Sequence, residues 1–294
     1  MPSLKGIRRR IASVKSTRQI TSAMKMVAAA RLRKAQDKIV NLRPYASKLH
    51  ELLEKISMGI EKSEEENEYG RGAENIKVLL IVVTSNRGLC GSFNMNVIKE
   101  TIRITEEEYS NQYKNNTLWL MTIGKKAYEF FSRREYQIYE DHSDLFDDLS
   151  FEKCSSLASK AMDSFLNEEF DRIEFVYNKF RNAANQDLSY EKFLPLEAGK
   201  GEEDMDLGEY IFEPSIEDII NELIPRTLKI QFYRTILDSY VAEHGARMTA
   251  MHKATDNATE LIRDLNLEYH KARQASITNQ ILEVVNGAQA LKGR

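Results

Sequence analysis

The sequence predicts an α/β fold: a long antiparallel two-helix coiled coil formed by the N- and C-terminal helices, with an inserted Rossmann-like α/β domain of mostly parallel strands. Three observations predict it. Arg226 to Leu291 runs 66 residues without proline, with Gly245 and Gly287 as its only glycines. Between Gly6 and Gly59 there is no glycine, and Pro44 is the only proline. The part in between alternates continuous apolar runs with amphipathic segments, the pattern of a sheet covered by helices.

The first helix is expected over residues 1–58. Leu4, Ile7, Ile11 and Val14 begin a seam with spacings of three and four. The same register returns at Ala28, Leu32, Ala35, Ile39, Leu42, Ala46, Leu49, Leu53 and Ile56. At the usual rise this helix is about 80 Å long, with a bend expected at Pro44. Between the two seam segments the register falls on Arg18, Thr21 and Lys25, while Ile20, Met24 and Val27 carry the apolar face. Either the stripe drifts locally, or this part faces a different neighbour.

Residues 61–75 are acidic and contain two glycines, which reads as a linker. The inserted domain is expected over 76–197. Ile76–Thr84 is a continuous apolar run of the kind buried in a parallel sheet. A turn at Asn86–Ser92 and a helix around Asn94–Glu108 follow, then a strand at Thr117–Ile123 and a short helix at Lys126–Arg134. Further strands are expected at Tyr136–Tyr139, Arg172–Tyr177 and Leu188–Leu196, with a helix at Phe151–Glu168.

The last element is expected over 210–294, its helix starting near Pro225. A helix of this length is about 100 Å long. Arg234, Asp238, Arg247, Asp256, Arg263, Asp264 and Lys271 exclude a membrane span. Ile230, Tyr233, Leu237, Tyr240, Met251, Ala254, Ala258, Leu261, Leu265, Ala272 and Ala275 form a seam that needs a partner helix, and the first helix supplies it. A pair of this kind buries only a narrow strip. Where one helix outruns the other, its surface must stay exposed or be covered by another protein.

The net charge of −3 hides an asymmetry: residues 1–57 carry 14 Lys and Arg against 3 acids, and residues 58–215 carry 18 against 32. The basic arm therefore calls for an acidic partner surface. Residues 1–34 hold ten basic residues and no acid, like an organelle transit peptide, but the seam continues past any plausible cleavage point. Only Cys90 and Cys154 are present, too few for a disulfide framework.

Candidate sites for chemistry are weak. Arg87, Gly88, Cys90 and Gly91 lie in a strand-to-helix turn that has neither the GxGxxG spacing nor a P-loop lysine. Cys90 has no recognisable His or Asn partner motif, and none of His50, His142, His244, His252 and His270 forms an i,i+4 metal pair. The acidic run Asp141–Asp148 lacks the glycine and terminal Glu of a calcium loop. The basic helix lacks the aromatics and reading motif of a nucleic-acid binder. No catalytic residue, cofactor, metal, nucleic acid or direct small-molecule substrate is expected.

Five stretches carry a family resemblance: 20–36 (ITSAMKMVAAARLRKAQ), 84–94 (TSNRGLCGSFN), 177–186 (YNKFRNAANQ), 246–262 (ARMTAMHKATDNATELI) and 269–291 (YHKARQASITNQILEVVNGAQAL). In order and over nearly the whole chain, they resemble the gamma subunits of F-type ATP synthases. Gln280 departs from the family's terminal signature, which has Glu there.

The resemblance implies a non-catalytic central-stalk rotor. Its coiled coil would turn inside a ring of alpha and beta subunits, and its foot would stand on the membrane c-ring and bind the epsilon subunit. Ion flow through the c-ring would thereby drive ATP synthesis, and hydrolysis would drive the reverse. By motif position, Met24, Arg247, Arg273, Gln274 and Thr278 would be catch and coupling contacts with beta. Ile277, Ile281, Val284, Val285 and Leu291 would line an apolar bearing, and Tyr210, Phe212 and Glu213 would belong to the foot. Without the cysteine-bearing insertion of chloroplast relatives, no thiol control of rotation is expected. The start of the chain at its first helix points to a bacterial protein or a mature organelle form, and of the two the bacterial form is the one expected. It would be peripheral, on the cytoplasmic face of the plasma membrane.

Overall fold

A computed structural model describes residues 4–60, 69, 76–196 and 216–292, and the side chains of all of these except 43, 46, 47, 50–60, 216–221 and 290–292. The helices are α1 (Leu4–Ile60), α2 (Phe93–Glu107), α3 (Ser110–Lys114), α4 (Lys125–Phe131), α5 (Phe151–Leu166) and α6 (Ile216–Lys292). The strands are β1 (Val78–Val83), β2 (Leu118–Ile123), β3 (Gln137–Asp141), β4 (Arg172–Phe180) and β5 (Gln186–Leu194). Two compact units result: residues 1–28 with 248–294, and residues 29–247.

In the second unit the sheet order is β3-β2-β1-β4-β5, parallel except for the antiparallel β4–β5 pair. β1 is buried along its whole length. This is why it is written as VLLIVV: a central strand covered on both faces has no position for a polar side chain. Val78, Leu80 and Val82 face α2 and α4, packing with Val97, Ile98, Ala127 and Phe131. The other face meets α6, where Phe175 of β4, Phe193 of β5 and Phe232 of α6 meet edge to face at centroid distances of 5.1–5.8 Å. Gly245 lets α6 pass close to the loop after β4, since a Cβ there would lie 3.2 Å from Ala183 Cα.

The first unit is the paired ends of α1 and α6, and their contacts fix the direction. Arg8 reaches Tyr269, Thr21 reaches Thr255 and Lys25 reaches His252, so the partner number falls as the first rises. The helices are antiparallel, as the seam predicts. Ile7, Met251, Ala258, Ile262 and Leu265 are buried in the seam.

Three sequence expectations need correction or decision. α6 begins no later than Ile216, nine residues before Pro225, which lies inside it. Proline there forfeits one backbone donor, and the helix continues on the remaining ladder. Ile262, not Leu261, is the buried seam residue. The third concerns the polar interruption in α1. Thr21 is buried, and Thr255 Oγ1 lies 2.8 Å from Thr21 Oγ1, within hydrogen-bonding range. The register therefore does not drift; it is filled with paired polar groups. Ile20, Met26 and Val27, at 60%, 64% and 55% exposure, stand off the seam.

Candidate functional site

The crevice at the carboxyl ends of β1 and β2 is where a doubly wound sheet would hold a phosphate. Here the protein's own groups occupy it. The first three N–H groups of α4 donate to the turn after β1: Lys125 N to Asn86 Oδ1 (3.0 Å), Lys126 N to Ser85 O (3.2 Å) and Ala127 N to Thr84 Oγ1 (2.9 Å). Asn86 also donates to Ser143 O at 2.7 Å. Ser85 N is taken by Asn94 Oδ1 at 2.8 Å. A nucleotide phosphate would find these donors spent.

Cys90 is no better placed for chemistry. Its thiol is buried and accepts from Asn94 Nδ2 at 3.3 Å. Burial pushes its pKa up, so the nucleophilic thiolate is disfavoured. Cys154 is pushed up to about 12, again by burial. Among the described residues, no group of three or more His, Cys, Asp or Glu is arranged to hold a metal ion. No helix among them is long and apolar enough to cross a membrane.

Arg247 is buried in the second unit. Its Nη1 pairs with Glu243, and its Nη2 donates to Arg87 O (2.9 Å) and Gly88 O (3.4 Å). It thereby ties α6 to the exposed turn Arg87–Leu89. Glu243, buried beside it, escaped the sequence reading, for which the i,i+4 Glu243–Arg247 spacing was the available signal; His244, buried there too, was weighed only as a metal ligand.

His244 has its Nδ1 3.4 Å from Arg247 Nη1, and because a guanidinium only donates, the ring proton belongs on Nε2. That buried Nε2 has no hydrogen-bond partner among the described residues. Burial, with the charges of Arg247 and Arg31, pushes the pKa of His244 down to about 3. The unfolded chain therefore binds this proton near the ordinary histidine value, and the folded chain refuses it. Stability from this group is full above the unfolded pKa and is lost as pH falls through the window between about 6.5 and about 3. Thermal unfolding compared at about pH 7 and about pH 4 should show a steeper loss for the parent chain than for His244→Gln. Equal losses would assign the acid sensitivity elsewhere.

The predicted catch and bearing residues other than Arg247 lie in the first unit. Met24 is half-buried, and Arg273, Gln274 and Thr278 are exposed. A shallow groove of about 360 Å³ runs beside Leu267, His270, Lys271, Arg273, Gln274 and Ile277, so that two of the predicted catch residues and the first of the predicted bearing residues share it. From Ile277 to Gln289 every residue is exposed, including Ile277, Ile281, Val284 (72%) and Val285. The cause is register. Arg8 already faces Tyr269, so the described part of α1, which starts at Leu4, lies alongside α6 only as far as the residues just past Tyr269. Leu282 is exposed there too, and the sequence reading missed it although it lies within the same apolar run. Leu291 lies on α6, but its side chain is outside the described set. Tyr210, Phe212 and Glu213 lie outside the described residues altogether.

Comparison with known proteins fits this picture. A family model described as ATP synthase matches residues 3–291. The ATP synthase gamma chain of Flavobacterium johnsoniae is 52% identical over 293 residues, covering 100% of both chains. That of Christiangramia forsetii is 49% identical with the same coverage, and that of Chlorobaculum tepidum is 45% identical over 99% of this chain and 100% of its own. Among solved structures, the rotor of Euglena gracilis mitochondrial ATP synthase aligns with a TM-score of 0.66 at 19% identity, covering 93% of this chain and 98% of that one. The central stalk and c-ring structure of Tetrahymena thermophila mitochondrial ATP synthase aligns at 0.57 and 22% identity, covering 80% and 99%. At such identities the structures report a shared fold.

Proposed function

Because this chain belongs to the ATP synthase gamma-chain family, we propose that it is the central-stalk rotor of such an enzyme, a non-catalytic subunit that couples rotation to the nucleotide sites of its neighbours. One observation carries the reading. The end of α6 outruns α1 and leaves Ile277, Ile281, Val284 and Val285 in solvent, while the seam before it is closed. A helix end that exposes this much apolar surface needs a cover from another chain. Apolar side chains make no directional bonds, so a cover of that kind can turn around them. The alpha and beta subunits would form that collar.

The polar residues beside it would supply the opposite property. Arg273, Gln274 and Thr278 would form directional contacts with beta that are made and broken as the shaft turns. Ile20, Met24, Met26 and Val27 would meet a second segment of beta, and Arg247 would act by holding the Arg87–Leu89 turn in place. Coupling then arises because each face of an asymmetric shaft stabilises a different beta conformation. The foot (Tyr210, Phe212 and Glu213) would meet the c-ring and epsilon. The assembly would lie peripherally on the cytoplasmic face of a bacterial plasma membrane.

The test uses Arg273→Ala with Gln274→Ala in a reconstituted complex. Both residues are exposed, so thermal unfolding of the chain should not change. Coupled ATP turnover should fall about tenfold, as expected if about 1.4 kcal/mol of differential contact is lost. Unchanged turnover and torque would remove these residues from the catch.

A further inference from the structure

At the end of the sheet away from the β1–α4 crevice lies a buried carboxyl that the rotor role does not use. Glu174, at the start of β4, is 3% exposed on the face covered by α2. Its Oε2 lies 2.8 Å from the hydroxyl oxygen of Tyr109 and within hydrogen-bonding distance of the hydroxyl oxygen of Tyr190 on β5. The Tyr190 oxygen also lies 3.1 Å from Glu108 Oε2 and 3.3 Å from the Tyr109 oxygen. Arg172 Nη1 donates to the Tyr109 oxygen at 3.2 Å, and its Nε is 3.9 Å from Glu174 Oε1, beyond hydrogen-bond range. Lys192 of β5 stands opposite Glu174 in the strand register.

The cluster holds fewer hydrogens than contacts. Four oxygen–oxygen contacts are in hydrogen-bonding range, but the two phenols bring two hydrogens. With both carboxyls ionised, two of the contacts would set lone pair against lone pair in a buried site. A third hydrogen removes one such conflict and leaves only the longest contact, Tyr190 to Tyr109, without one. That hydrogen belongs on Glu174, the buried one of the two carboxyls, because burial penalises the charged form whereas the Glu108 side chain is exposed.

We propose that Glu174 is a neutral carboxylic acid in the folded protein, the middle of a directed chain that runs from Arg172 through Tyr109, Glu174 and Tyr190 to the solvent-facing carboxylate of Glu108. Each oxygen in the chain donates to the next, and Glu108 offers the exit for the proton. Loss of that proton places a second negative charge beside Glu108 and breaks the link that joins edge strand β5 to the end of α2. Burial acts in the same direction, raising the pKa of Glu174 above the carboxylate range, with the two phenols and Arg172 opposing it. A group whose folded pKa is raised contributes stability that is full below its unfolded value and lost as pH rises through the folded value. The device is therefore an alkaline-sensitive clasp on β5.

Two measurements on the full chain test it. An infrared difference spectrum of the parent against Glu174→Gln at about pH 7 should show a protonated-carboxyl stretch in the parent that the variant lacks. The melting temperature of the parent should fall as pH is raised above the ordinary carboxylate value of 4.5, while that of Glu174→Gln stays flatter. Should Glu174→Gln fail to fold, Glu108→Gln serves: removing the neighbouring charge should shift the midpoint at which the carboxyl stretch disappears to lower pH. A parent spectrum with no such stretch at about pH 7, or a midpoint unmoved in Glu108→Gln, overturns the proposal.

Discussion

Replacing Gly124 by alanine is expected to cost about 4 kcal/mol or more of folding stability, enough to leave the chain largely unfolded. Gly124 precedes α4 with φ 103° and ψ 135°, a conformation side chains rarely adopt. A Cβ built there would lie 2.1 Å from the carbonyl oxygen of Thr84 and 2.7 Å from its carbonyl carbon. Neither atom can yield. Thr84 continues the central strand, its N–H donates to Ile123 O at 2.8 Å, and its hydroxyl accepts from Ala127 N. The substitution thus strikes the contact that closes the crevice. Urea denaturation should show a soluble but destabilised chain or none at all. Gly88→Ala is the control, because an added Cβ there meets nothing within 4 Å. Equal behaviour of the two variants would mean that the β1–α4 junction relaxes more easily than its packing implies.

Arg247→Ala should be nearly as damaging, for an electrostatic reason. Glu243 is buried, and Arg247 is its i,i+4 partner. Removing the guanidinium strands a carboxylate in the interior and takes the donor from the Arg87 and Gly88 carbonyls. Breaking a buried pair from one side costs about 3–5 kcal/mol. Glu243 already has its pKa raised by burial, and without Arg247 it would take up a proton instead. The loss should therefore shrink as pH is lowered, and Glu243→Gln in the same chain should recover part of it. A double-mutant cycle by urea denaturation measures this; additive losses would show that the pair acts as two independent residues.

Much of this architecture was legible in the chain. The long helices announce themselves by the scarcity of glycine and proline and by a three-four seam, and β1 by an apolar run with no polar break. The antiparallel pairing followed from placing a compact domain between two helices. The start of α6 was misread because Pro225 looks like a boundary, whereas a helix can lose one donor and continue. Leu261 and Ile262 are adjacent and both apolar, and which one enters the seam depends on the local winding of the pair, which a heptad count does not resolve.

The candidate contacts divide in a similar way. The apolar end of α6 was picked out through the family resemblance, and its exposure shows only once the pairing of α1 with α6 is seen. The buried cluster of Glu243, His244 and Arg247 was not legible, because charged letters on a long helix ordinarily read as surface. The Glu174 cluster was hidden for another reason: Glu108, Tyr109, Arg172, Glu174 and Tyr190 come from separate parts of the sequence, and only the pairing of β4 with β5 and the packing of the end of α2 on the sheet bring them together.

The hydroxyl pair of Thr21 and Thr255 bears on how a shaft of this kind keeps its alignment. A strip of greasy side chains tolerates many settings, because sliding or rolling exchanges one featureless contact for another. Two alcohols facing one another in such a strip meet at a single setting, and at any other each is left with only the carbonyl of its own helix turn. The two strands are thereby keyed at this point, and sliding or rolling there costs a bond that a purely greasy strip would not have to lose.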